Sequence, residues 1–162
     1  MVANSAKIDG EIVRVLEVCR DIELSSAELY KYFAKIFCDH EEMAALWYKT
    51  AQEEENHAKQ FILAITMRRE QLVESLVIDS GTAESTLDFV RAIYDVVRVN
   101  KPSMLEALSS AITLEVNLSK FHMTTAVHFV EKTHRQLFAA MLKADKNHIE
   151  ALREFHQRLL MA

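Results

Sequence analysis

The sequence predicts an all-α protein: residues 1–162 form one domain, an antiparallel four-helix bundle with a helical crossover between bundle helices 2 and 3. Three observations lead there. The 162 residues include only two Gly and one Pro while 50% are hydrophobic, so turns are scarce and helix formers abundant. Apolar residues recur at alternating steps of three and four along successive segments, as amphipathic helices require. The longest segments also pair into two similar hairpins, each with a carboxylate on its first helix and carboxylate-x-x-His on its second. A chain of this length buries a substantial core.

The first helix is expected over about Ile8 to Cys38, with Leu16, Cys19, Glu23, Ser26, Tyr30, Phe33 and Phe37 on its inward stripe. Glu17, Asp21 and Glu28 fall outside that stripe and read as solvated. A turn at Cys38-Asp39-His40-Glu41 follows, with Asp39 the expected N-cap of the next helix. That second helix is expected to run to Val77, with Trp47, Ala51, Glu54, Ala58, Phe61, Ile65 and Leu72 inward. Its phase selects Glu54 over Glu53 and Glu55 as the inward acid and puts His57 at the edge of the stripe. Asp79-Ser80-Gly81-Thr82 breaks the helix.

A shorter amphipathic segment, about Ala83 to Val99, carries no acid–His pair and suits a crossover between parallel bundle helices. Pro102 and the box Ser103-Met104-Leu105-Glu106 open the next helix, expected to reach Val130. Leu105, Leu108, Ile112, Glu115, Ser119, His122, Ala126 and Phe129 form its stripe. Thr133-His134-Arg135-Gln136 reads as a second capping box, opening a helix to about Leu160 with Phe138, Met141, Asp145, His148, Leu152, Phe155 and Leu159 inward. One offset along the chain lays Glu23 on Glu115 and Ala34 on Ala126. Nearly the same offset lays Glu54 on Asp145 and His57 on His148.

Glu54 and His57, three residues apart, emerge from nearly one helix face, and Asp145 and His148 repeat that spacing. Either pair alone is weak, because Glu is common in helices. The hairpin geometry, however, sets Glu23, Glu54, Glu115 and Asp145 at similar depth in an apolar bundle, and unpaired buried charge is very costly. Two divalent cations would offset four carboxylates, with His57 and His148 completing their coordination. A Glu from each of two helices plus acid-x-x-His from the other two is a dinuclear carboxylate pattern of helical bundles. Mixed oxygen and imidazole ligands suit iron or manganese, and zinc also binds such sets. Tyr30 reads as core packing or as a hydrogen bond to a ligand carboxylate. His122 reads as a residue behind the ligands or in the core. His40, His128, His134 and His156 read as surface or turn residues.

Composition excludes several classes. The formal charge of −5 without a basic cluster argues against nucleic acid. No stretch of about 18 apolar residues exists, so no membrane span is expected. Cys19 and Cys38 lie roughly 28 Å apart along one helix, too far to bond. No C-x-x-C pair is present, which excludes a rubredoxin or zinc-ribbon module within these residues. The expected setting is a soluble, cytoplasmic protein. Outward apolar residues such as Phe89, Tyr94 and Phe121 make a homodimer the expected assembly.

At these residues the chain resembles the ferritin-like superfamily, specifically its rubrerythrin-like di-iron carboxylate branch. The resemblance rests on Ile22-Glu23-Leu24-Ser25-Ser26-Ala27-Glu28-Leu29-Tyr30 in the first helix and Glu54-Glu55-Asn56-His57-Ala58-Lys59-Gln60-Phe61 in the second. It implies an antiparallel four-helix bundle holding two iron ions on Glu23, Glu54, His57, Glu115, Asp145 and His148. The implied function is reaction with hydrogen peroxide or dioxygen, as a peroxidase or ferroxidase in oxidative-stress defence, with Glu54 and Glu115 bridging. The chain departs from that branch at Leu118, where rubrerythrins proper carry a further Glu. Asp145 stands where the branch has a longer Glu. The rubredoxin domain is lacking, so an external electron-donor protein is implied for turnover. Leu118 and the missing electron-transfer module pull toward the alternative, a non-catalytic iron or divalent-metal binding protein for storage, delivery or sensing.

Overall fold

The apolar stripes of the sequence become five helices in the computed structural model, which describes residues 2–70, 73–76, 79–124, 127–129 and 132–161. These are α1 (Val2–Ile36), α2 (Glu41–Arg69), α3 (Ser80–Val99), α4 (Met104–Thr124) and α5 (Lys132–Met161), with two short strands, β1 (Val73–Leu76) and β2 (Val127–Phe129). Helix α1 packs chiefly against α2, and α4 against α5. Helix α3 lies on α1, while α2 also meets α5. No helix among the described residues is long and apolar enough to cross a membrane.

The α1–α2 hairpin follows directly from its stripes. Leu16, Cys19, Glu23, Ser26, Tyr30, Phe33 and Phe37 are all buried, as are Trp47, Ala51, Glu54, Ala58, Phe61 and Ile65. The turn closes when the His40 amide donates to the Phe37 carbonyl at 3.0 Å. That bond carries the chain one residue past the expected cap, so His40 and not Asp39 is the N-cap of α2. His40 makes no side-chain cap bond, and Glu41 and Glu42 place negative charge at the helix's positive end instead. Above the turn, Tyr30 stacks on Trp47 with ring centroids 5.7 Å apart, and Phe33 packs against Trp47 at 5.0 Å. Trp47, Tyr30 and Phe33 are among the largest fully buried side chains of the core.

Two helices stop short of their sequence expectation. Helix α2 ends at Arg69 rather than Val77, and α4 at Thr124 rather than Val130. The overrun segments pair with each other as antiparallel strands in the register Val73↔Phe129, Ser75↔His128, Leu76↔Val127, with a register shift between Val73 and Ser75. Val and Phe fit a pleated surface better than a helix once a partner strand is present. A two-stranded ribbon is marginal alone, and here it joins the ends of α2 and α4 to the helices that follow.

The caps fix the other boundaries. Asp79 caps α3, its carboxylate accepting from the Thr82 amide at 2.9 Å and the Thr82 hydroxyl at 2.8 Å. Ser103 and Glu106 form the expected capping box ahead of α4: the Ser103 amide donates to Glu106 Oε2 at 2.8 Å, and the Glu106 amide donates to Ser103 Oγ at 3.3 Å. Thr133, the other expected cap, lies inside α5, which begins one residue earlier. On α4 the buried face runs through Ala107, Leu108, Ala111, Leu114, Glu115, Leu118, Ser119 and Phe121. That face turns Phe121 into the core, correcting its expected outward position. Tyr94 is half-buried and only Phe89 of that trio is exposed. Leu72 and Ala126 lie outside the described residues, as do the side chains of His122, His128, Phe129, His134, Phe138 and Met141.

Candidate metal centre

Four helices each deliver a carboxylate to one buried place. Glu23 comes from α1, Glu54 with His57 from α2, Glu115 from α4, and Asp145 with His148 from α5, and all six are buried. Glu54 and His57 meet because a three-residue step in a helix nearly completes one turn. Their counterparts on α5 meet for the same reason. Ser26, beside Glu23 on α1, spends its hydroxyl on the Ile22 carbonyl at 3.0 Å and stays outside the cluster's chemistry.

Two sets of three converge closely enough to hold a metal ion each. Glu23, Glu54 and His57 present ligand atoms within 4.8 Å of one another, and Glu54, Glu115 and His148 do the same. Glu54 is common to both. Of the expected bridging pair, therefore, Glu54 stands between the two sets while Glu115 belongs to one. Asp145 approaches His57, with its Oδ1 3.7 Å from Nδ1, and joins neither set. His57 Nδ1 also lies 3.3 Å from Glu54 Oε2 and 3.5 Å from Glu23 Oε2. The His57 and His148 rings face each other with centroids 5.8 Å apart.

His148 is held from two sides. Its Nδ1 lies 3.1 Å from Glu54 Oε1 and 3.7 Å from Glu115 Oε2, while its Nε2 lies 2.6 Å from Glu53 Oε2. None of these approaches is aligned as a hydrogen bond, so both ring nitrogens and Glu54 Oε1 are buried without one. Glu53 is a residue at the candidate site that sequence reasoning missed. The phase of α2 sends it off the inward stripe, yet its side chain, 35% exposed, bends back to a ring on α5. No pattern within α2 could have disclosed that contact.

The electrostatics match an incomplete charge balance. Burial opposes the charged form of His57, but hydrogen bonding and charge from Glu23 and Glu54 override it and push the ring up to about 10. Burial likewise opposes a charged His148, and Glu115, Glu53 and Glu54 push it up to about 12. Glu115 is raised above the usual carboxylate range, first by burial and then by the charge of Glu54. Glu53 is lowered by its contact with His148. Four buried acids and two imidazoles thus crowd one place, and ionisation of all four acids would leave a deficit of positive charge. Two divalent ions with neutral imidazoles would close that balance, and the misaligned buried atoms of Glu54 and His148 are the donors such ions take. The residues present fit a dinuclear centre.

Tyr30 reaches the cluster as one of its two sequence readings anticipated: its hydroxyl donates to Glu115 Oε1. Burial, followed by the charges of Glu115 and Glu54, holds its phenol well above the ordinary tyrosine range, so it remains a donor. Cys19, one turn before Glu23, is buried, and burial with the Glu23 charge pushes its thiol up, away from the thiolate a metal needs. Leu118 presents a buried apolar wall one turn beyond Glu115. Comparison of the chain with protein-family models, curated proteins and solved structures returned no match.

Proposed function

We propose that the chain is a dinuclear metal–carboxylate protein whose helices α1, α2, α4 and α5 form an antiparallel four-helix bundle of the ferritin-like, rubrerythrin-like kind, with α3 as the crossover. The observation that carries this reading is Glu54, shared between two buried Glu/Glu/His sets. Glu23, Glu54 and His57 would hold one ion and Glu54, Glu115 and His148 the other, with Asp145 beside His57. Carboxylate and imidazole donors favour iron, with manganese and zinc as competitors.

Reduced iron in such a pair would supply two electrons, enough to cleave the O–O bond of peroxide to water or to reduce dioxygen to peroxide. The chain's own residues do the rest. The Tyr30 hydroxyl fixes the orientation of Glu115, and the block of Tyr30, Phe33 and Trp47 keeps bulk water from one end of the site. Exclusion of water strengthens every charge interaction inside it. A second reading, metal binding without turnover, is favoured by Leu118, whose apolar side chain offers no further acid beside Glu115.

Elemental analysis of freshly purified protein followed by stopped-flow oxidation of the Fe(II)-loaded form by H2O2 tests both. Two ions per chain with rapid oxidation supports the peroxidase or ferroxidase reading. Two ions with no peroxide-driven oxidation supports the binding reading. Absence of stoichiometric metal after reconstitution refutes the dinuclear centre.

A further inference from the structure

We infer that Glu53 is the positioning residue for His148: it accepts a hydrogen bond from the ring's Nε2–H and so leaves the Nδ1 lone pair facing the second metal position. The inference rests on the dinuclear reading above. The geometry divides the ring's two nitrogens between different partners. Nδ1 faces Glu54 and Glu115, the carboxylates of one metal set, and Nε2 meets Glu53 at 2.6 Å. A neutral imidazole carries one N–H and one lone pair, so whichever group accepts the N–H decides which nitrogen is left to bind metal. Metal-bound imidazoles almost always hand their other N–H to a carboxylate or carbonyl, which fixes tautomer and ring angle. In this chain the group stationed at Nε2 is Glu53.

Glu53 does not belong to either metal set, and its partial exposure distinguishes it from the six buried residues. Its role is therefore confined to the Glu54/Glu115/His148 position, while the Glu23/Glu54/His57 position stands apart from it. Removal of such an outer partner typically weakens metal affinity by about 10–100-fold.

The test is titration of the full chain with Co(II), followed by proton NMR of the exchangeable, hyperfine-shifted imidazole N–H, for wild type, Glu53→Ala and Glu53→Gln. In E53A one of two Co(II) equivalents is expected to weaken by about 10–100-fold, with that N–H signal lost to exchange with water. The other equivalent keeps its affinity. In E53Q the amide oxygen still accepts the proton, so the signal and much of the affinity return. Equal weakening of both equivalents in E53A, or unchanged affinity with an unchanged N–H signal, overturns the inference. Wild-type protein that takes up no Co(II) refutes the dinuclear reading itself and the inference with it, an outcome separable from the variants' behaviour.

Discussion

Replacing Glu54 by Gln is the sharpest perturbation, because Glu54 alone is common to both metal sets. A ligand that binds only the folded state stabilises it by about 2.7 kcal/mol per site at 100 times its Kd. For a chain of this length each kcal/mol moves the unfolding midpoint by about 2–4 °C. One ion should then raise the midpoint by roughly 5–11 °C and two ions by roughly 11–22 °C. Wild type should display the larger shift. Glu23→Gln and Glu115→Gln, each sparing one set, should display the smaller, and Glu54→Gln almost none. The assay is thermal unfolding followed by circular dichroism, each variant compared with its own metal-free form so that the apo cost of the substitution cancels. A Glu54→Gln protein that keeps half the wild-type shift, or a Glu23→Gln protein that loses all of it, would refute the shared position of Glu54.

Metal affinity should rise with pH. His57 is pushed up to about 10 and His148 to about 12, above the roughly 6.5 of an unfolded chain, so each ion must displace a proton. The apparent log affinity of each ion is expected to climb by about one per pH unit between roughly 6.5 and 10, and a flat titration would contradict the site. Metal-free protein should behave oppositely. Stability from the raised rings is fully present below about 6.5 and is lost as pH rises through 10 and then 12, and the raised Glu115 works in the same direction. Tyr30→Phe removes the donor to buried Glu115 and should cost about 1–3 kcal/mol in urea unfolding with an unchanged m-value; a neutral result would mean the bond is not made in solution. A thiol reagent should label exposed Cys38 in the native protein and buried Cys19 only after denaturation, and fast labelling of both would contradict the α1 packing.

The helical class, the inward phase of α1 and α2, and the burial of Glu23, Glu54, Glu115, Asp145 and His148 were legible because a helix face is a local property. A period near 3.6 residues fixes which side chains share a face, whatever the helix packs against. The Ser103–Glu106 box was legible for the same reason, since its partners are three residues apart. The ends of α2 and α4 were not, because Val73–Leu76 is a strand only in the presence of Val127–Phe129, far along the chain. The inward turn of Phe121 depended on how α4 is rotated against its neighbours.

At the centre itself the same division holds. Local periodicity determined that four acids and His148 lie on inward helix faces, with His57 at the edge of its own, and that so much buried charge demands compensation. Only the packing of α2 against α5 decided that Glu54 stands between the two sets, that Asp145 turns toward His57, and that Glu53 crosses to His148. Those contacts depend on how the helices are rotated and spaced against one another, which no spacing within a single helix encodes.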